Sequence, residues 1–415
     1  MADKVLIVKK SSLQGKVKLS GAKNSALRLL AASLLTDEDV LLSNFPNGLS
    51  DVQVHNDMLR YLGKKIEVRE ENITISGKAI NSNLIWEGRS IRNTLLILGA
   101  LLSRKGYAKV PLPGGCKIGE RKYDLHQLVL ESLGAKVWVE EDYLCAESYG
   151  RLQGNDIYLP LRSTGATENA IISSVLASGK TTVWNPHVRP EILDLIEMLK
   201  GMGAKIEVRG NESIIINGVE TLHAVTHKVI PDNMEALTYL IGAAITGGNL
   251  EIMDFPSEHL TVPLTFLKAS GLKIYEGSNS VIVLGSTPFP LEISTGPYPG
   301  INSDMQPLMA VFASLAQGMS KIVDLRFPNR YAYADQLKKL GVNTFVEDNM
   351  LIIKGGNLLK GANVFADDLR AGAALLLAGL VAEGETVISN AQQIERGYDH
   401  FFEKFISLGA NLRWK

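Results

Sequence analysis

Cys116 stands in the run Leu112-Pro113-Gly114-Gly115-Cys116-Lys117-Ile118-Gly119, and Lys117, Arg121 and Lys122 follow within six residues of its sulfur. Cations near a thiol lower its pKa and favour the thiolate. The glycines permit backbone conformations closed to other residues. Two readings compete: a reactive thiol, or the inert buried thiol that free cysteine more often is. The flexible, charge-rich context favours the reactive one. Cys145, in the strand-like DYLCAES, fits the inert one.

Three further clusters point to anion chemistry. Ser20-Gly21-Ala22-Lys23-Asn24-Ser25 couples a glycine turn and a lysine to a helix start, an arrangement suited to phosphate. A plain Ser/Asn-capped helix start has the same look. Arg370, in Asp367-Asp368-Leu369-Arg370-Ala371, and Arg396, in Glu395-Arg396-Gly397-Tyr398, suit bidentate recognition of carboxylate or phosphate. Taken singly, each reads first as a solvated surface charge. Asp304, in Asn302-Ser303-Asp304-Met305-Gln306, is a general base or a helix N-cap. The seven histidines show no metal spacing, so no metal is expected.

The elements that must carry these residues recur. LGKKIEV, LGAKVWV, MGAKIEV, SGLKIYE, LGVNTFV and LGANLRW place glycines at 63, 134, 203, 271, 341 and 409, at spacings of 71, 69, 68, 70 and 68. Each glycine follows an amphipathic stretch and precedes a β-rich one. That predicts a left-handed glycine closing a helix before a strand. Between them run Ala/Leu-rich helices such as LRLLAASLL and AGAALLLAGLVA, apolar nearly all round and hence buried. The reading is an α/β chain of six repeats of about 69 residues, three per domain, with a ligand between domains.

Composition agrees with a soluble globular chain. Of 415 residues, 46% are hydrophobic and 21% charged, and the net charge is −1. No overall positive field is available to hold nucleic acid or an anionic membrane. The longest apolar run, Ala371 to Ala382, is about 12 residues, and a membrane span needs roughly 20. Two cysteines fit a reducing compartment, so a cytoplasmic location is expected.

SGAKNSAL (20–27), PLPGGCKIGER (111–121), DLH (124–126), RSTGATEN (162–169), SDMQ (303–306), DDLRAGAALLLAG (367–379) and ERGY (395–398) together resemble the UDP-N-acetylglucosamine 1-carboxyvinyltransferase family. The resemblance runs in order from about residue 5 to 413. It implies the two-domain inverted α/β barrel, with a first domain over 20–228 and a second over 1–19 plus 229–415, the active site lying in the cleft. The sister family, 5-enolpyruvylshikimate-3-phosphate synthase, shares that fold and is not expected to carry the PGGC cysteine.

The implied reaction moves the enolpyruvyl group of phosphoenolpyruvate to a sugar hydroxyl through a tetrahedral intermediate. By resemblance, Cys116 is the acid that protonates the methylene carbon and Asp304 is the base. Lys23, Arg121 and Arg396 hold the phosphate, and Arg370, with Arg396, holds the carboxylate. The acceptor and its nucleotide would meet Asn24, Arg92, Lys122, Tyr123, Asp124, Leu125, Arg162, Ser163, Thr164, Gly165, Asp304 and Arg326. No cofactor is implied. The partners are small molecules only: phosphoenolpyruvate and a uridine nucleotide or nucleotide sugar.

Departures from the family's pattern gather on the acceptor side. Lys122 replaces a proline of the uracil pocket, Leu161 a lysine, Asn233 an arginine and Pro328 a glutamate, and Arg162 precedes the diphosphate turn Ser163-Thr164-Gly165. Two enzyme readings follow: the usual acceptor with compensating charge from Arg162 and Lys122, or a paralogue acting on another UDP-sugar or a uridine nucleotide such as UMP. A third is a non-catalytic nucleotide-sugar sensor, which would be expected to have lost the acid, the base or the cations retained here.

Overall fold

The computed structural model describes residues 4–113 and 122–415. The described chain forms two compact units, one of residues 4–20 with 231–415, the other of residues 21–113 with 122–230. The backbone passes from one unit to the other after Ser20 and again after Ile230.

Each unit carries three small sheets of one design. In residues 21–230, the strand Val40–Ser43 pairs in parallel with Val225–Lys228 and antiparallel with Asn72–Ser76, which carries Lys65–Arg69 at its far edge. The strand Lys180–Trp184 is flanked in the same order by Asp156–Tyr158, Ser213–Asn217 and Lys205–Arg209. Tyr107–Pro111 pairs antiparallel with Tyr143–Glu147 and meets its parallel neighbour only as a bridge at Asn83.

The other unit repeats the order around Asn249–Met253, Met319–Val323 and Glu385–Ser389. In the last of these, the N-terminal strand Val5–Lys9 fills the antiparallel position. Among the described residues the six sheets share no ladder, so the strands form no closed barrel. Five of the six sheets end in a short parallel strand on one side, the Tyr107–Pro111 sheet having a single bridge there, and five end in a hairpin on the other, the Val5–Lys9 sheet ending instead on Asn411–Trp414.

The six recurring glycines behave as their sequence context requires. Gly63, Gly134, Gly203, Gly271, Gly341 and Gly409 all have φ between +88° and +106°. Each donates its N–H to the carbonyl three residues back, and the following residue donates to the carbonyl five back, as from Lys64 to Leu59. This double bond closes the helix and frees the chain to turn into a strand.

Helices before the central strands form the core. In residues 231–415, Asn233–Ile245, Gln306–Ser314 and Leu369–Val381 are buried along almost their whole length and pack on one another. In the other unit, Thr94–Lys105 packs against Lys23–Ala32 and Thr164–Ser174. Burial on every side explains why these helices carry Ala, Leu and Gly rather than one polar face. It also leaves their N-termini as the places where the charged residues of interest begin.

Candidate active site

Two buried charge clusters, one in each unit, hold three of the residues expected to act: Asp304 and Arg370 in one, Lys23 in the other. In residues 231–415 the centre is Asp304. The loop before the helix Gln306–Ser314 turns on Asn302, whose Oδ1 accepts from the Asp304 N–H at 2.9 Å. That helix has Met305 at its N-cap and no side-chain cap, so Asp304 does not serve as one. Its Oδ1 instead accepts from Arg330 Nη1 at 2.8 Å, and its Oδ2 lies 3.5 Å from Arg370 Nε.

Arg370 is placed by its helix. Asp368 caps Leu369–Val381, its Oδ1 accepting from the N–H of Arg370 (2.7 Å) and Ala371 (2.9 Å). The Arg370 side chain is buried and its guanidinium lies 5.0 Å over the Tyr398 ring. The surface-charge reading of Arg370 is thereby excluded. Arg330 Nη2 is 3.7 Å from Asp368 Oδ2. Burial opposes the charge on both arginines, but their anionic and aromatic neighbours outweigh it and hold both above the ordinary guanidinium value.

Arg396 ends the short 3₁₀ segment Ala391–Arg396, which packs against the helix Leu369–Val381. Arg326 follows the same strand as Arg330, but its side chain is exposed and rests 5.3 Å from the Phe327 ring. Pro328 is exposed, and Asn233 is buried at the start of its helix, whose cap is Asp232.

In residues 21–230 the centre is Lys23. It begins the helix Lys23–Ala32 after Ala22, with no side-chain cap, so the capped-start reading does not hold. Its Nζ lies 2.6 Å from Asp51 Oδ2, and Arg89 Nη2 lies 2.6 Å from Asp51 Oδ1. Lys23 and Asp51 are buried, whereas the Arg89 side chain is 41% exposed. Asn24 is half-buried, with its Oδ1 3.4 Å from Arg28 Nη1.

Arg92 Nη2 donates to the Lys122 carbonyl at 2.9 Å. Tyr123 precedes the helix Asp124–Ser132, Leu125 is half-buried, and Lys122 and Asp124 are exposed. The helix Thr164–Ser174 is capped by Ser163, whose Oγ accepts from Ala166 N. Thr164 Oγ1 meets His187 Nδ1 at 2.8 Å. A Cβ on Gly165 would stand 2.8 Å from His126 Nε2, so only glycine fits beneath that ring. Burial, with help from Arg92, pushes the His126 imidazole down to about 3, and it is neutral at ordinary pH. Arg162 is exposed and donates to Asn185 Oδ1, and Leu161 is exposed beside it.

Cys116 and Arg121 lie outside the described residues, as does Lys117. Cys145 is buried in the strand Tyr143–Glu147, and burial pushes its thiol up. Among the described residues no group of His, Cys, Asp and Glu could hold a metal ion, and no helix is long and apolar enough to cross a membrane.

Sequence reasoning passed over Arg330, Asp368 and Asp51. Asp368 stood inside a motif already singled out, and Arg330 stands two residues after Pro328. Their signal was an arginine shortly after a strand and an acid immediately before an apolar helix. Asp51, an acid in a helix's first turn, gave no signal beyond an ordinary helix start.

The family model for EPSP synthase (3-phosphoshikimate 1-carboxyvinyltransferase) matches residues 7–405. The UDP-N-acetylglucosamine 1-carboxyvinyltransferase of Shewanella sediminis is 40% identical, with 99% of this chain and 99% of that one aligned. The UDP-N-acetylglucosamine 1-carboxyvinyltransferase 1 of Carboxydothermus hydrogenoformans is 41% identical over 99% of this chain and 98% of its own. Among solved structures, the enolpyruvyl transferase NikO from Streptomyces tendae superposes with a TM-score of 0.89 at 26% identity, covering 100% of this chain and 99% of NikO. EPSP synthase from Acinetobacter baumannii shares the fold, with a TM-score of 0.80 at 20% identity over the whole of both chains.

Proposed function

The chain belongs to the enolpyruvyl (1-carboxyvinyl) transferase family, and on that premise we propose that it transfers the enolpyruvyl group of phosphoenolpyruvate to the 3-hydroxyl of UDP-N-acetylglucosamine and releases phosphate. This is the first committed step of peptidoglycan synthesis, and a cytoplasmic location goes with it. The supporting observation is Asp304, held by Arg330 at 2.8 Å and flanked by Arg370 at 3.5 Å, with its side chain still 29% exposed. A carboxylate fixed in this way can accept a proton without losing its position.

In the addition step the acceptor oxygen attacks C2 of phosphoenolpyruvate. Asp304 takes the hydroxyl proton, and Cys116 delivers a proton to the methylene carbon. In the elimination step the Cys116 thiolate takes a proton back from that carbon, the double bond re-forms, and phosphate departs from C2 with the proton that Asp304 held. Lys23, Arg121 and Arg396 neutralise the phosphate, and Arg370 grips the carboxylate. Fixed cations aimed at a substrate with three negative charges form the kind of preorganised field that usually contributes most to catalysis. Asn24, Arg92, Lys122, Tyr123, Asp124, Leu125, Arg162, Ser163, Thr164, Gly165 and Arg326 serve the acceptor and its nucleotide.

One observation favours a second reading of the acceptor. Asn233 is buried where the resembling family carries an arginine, and Lys122 and Arg162 add exposed charge elsewhere on the acceptor side. A paralogue acting on another UDP-sugar or on UMP would use the same chemistry. Fosfomycin, an epoxide that mimics phosphoenolpyruvate, tests the shared half. Intact-mass spectrometry should show one adduct at Cys116 with acceptor present. An unmodified chain would count against Cys116 as the acid.

A further inference from the structure

We propose that Asp324 and Ser303 are positioning residues for Asp304, which they hold in place through Arg330. The proposal rests on the reading of Asp304 as the base. Asp324 follows the strand Met319–Val323 and is fully buried. Its hydrogen-bond donors are all neutral. Oδ1 accepts from Thr295 Oγ1, Arg326 N and Phe327 N, each at 2.9 Å. Oδ2 accepts from Gln306 Nε2 at 2.6 Å and from the Ser303 hydroxyl. Burying a carboxylate is costly unless its oxygens are satisfied in this way.

The arrangement has a direction. Ser303 spends its only proton on Asp324, so its oxygen can only accept from its other neighbour. That neighbour is Arg330 Nη1, at 3.0 Å. The same Nη1 reaches Asp304 Oδ1 at 2.8 Å. Asp324 thus fixes the hydroxyl, the hydroxyl fixes the guanidinium, and the guanidinium fixes the base.

The backbone of Arg330 is tied to the same carboxylate. Gln306 Nε2, bonded to Asp324, also approaches the Arg330 carbonyl at 3.3 Å. The Gln306 Oε1 accepts from Tyr333 Oη at 2.7 Å, which sets the orientation of its amide. The two backbone N–H groups on Oδ1 fold residues 325–327 into a tight turn that starts the path to Arg330. A carboxylate serving only as a loop anchor would not need to orient a hydroxyl toward an arginine that touches the base.

Asn at 324 would keep the volume and reverse the logic. Its amide NH2 would face the Gln306 donor and a Ser303 hydroxyl that must then turn its proton away from 324, or else the two backbone N–H groups. The test compares D324N, S303A, S303T and D304N by steady-state kinetics with phosphoenolpyruvate and UDP-N-acetylglucosamine, alongside thermal unfolding. S303A should lose about 10-fold in kcat, the scale of one charge-assisted hydrogen bond, with little change in the KM for phosphoenolpyruvate. D324N should lose more, and S303T, which keeps the hydroxyl, should recover most of the S303A loss. Wild-type kcat in S303A, or equal losses in S303A and S303T, overturns the proposal. Should D324N fail to fold, the serine pair still decides. If D304N keeps its kcat, the base reading itself falls, and the positioning role falls with it.

Discussion

The clusters around Asp304 and Lys23 both bury charge, but they are built differently. Arg330 and Arg370 face Asp304 and Asp368, and Asp324 and Asp232 also act on them, so carboxylates outnumber the arginines. In the other cluster Lys23 and Arg89 share Asp51. Under the proposed function, a base must hold one position and accept one proton, which an acid-rich, hydrogen-bonded cluster would allow. A grip on phosphate, under the same function, calls for cations, which Lys23 and Arg89 would supply.

The strongest way to break this comparison is at Asp304. D304N keeps the shape and removes the base, and kcat should fall by about 10²–10⁴-fold. Single-turnover measurement of phosphate release reads it directly. Next comes R370K, which replaces a planar fork with a point charge. It should cost about 10- to 100-fold in kcat/KM for phosphoenolpyruvate. A surface Arg→Lys change would barely register. On the lysine side, D51N should raise the KM for phosphoenolpyruvate about 10-fold and change kcat less, because it loosens Lys23 and leaves the base untouched. Equal effects of D51N and D304N on kcat would erase the distinction between the two clusters.

A smaller effect separates the units by pH. His55 and His126 both belong to the unit of residues 21–230, and burial pushes each down to about 3. The unfolded chain binds protons at these groups from about pH 6.5 downward, and the folded chain does not. Their contribution to stability is therefore present above pH 6.5 and is lost as pH falls toward 3. The slope is about 1.4 kcal/mol per pH unit for each histidine. Denaturant titrations between pH 6.5 and 4 should show a shallower loss in H55Q than in wild type. Smallest of all, D232A removes the cap that accepts from Met234 and Glu235. It should cost about 1 kcal/mol of stability, read by thermal unfolding.

The repeat was legible because glycine has a use that few residues share. Six of the described helices end on a left-handed glycine before a strand in the context Leu-Gly-Ala or a close variant. The separate sheets were less legible, because strand pairing depends on partners far apart in sequence, such as Val5–Lys9 with Glu385–Ser389. Arg370 was legible as a candidate, while its burial was not, since an arginine at a helix start reads first as a surface charge. Asp324 left no mark at all. Its role comes from five donors drawn from separate segments, and no spacing within one segment announces it.

The most direct test of the account is phosphate release from phosphoenolpyruvate with UDP-N-acetylglucosamine, UDP-glucose, UDP-N-acetylgalactosamine and UMP, each product identified by mass spectrometry. The account predicts fast, saturable release with UDP-N-acetylglucosamine and an enolpyruvyl ether as product. Release with another of these acceptors alone, or with none, would contradict it.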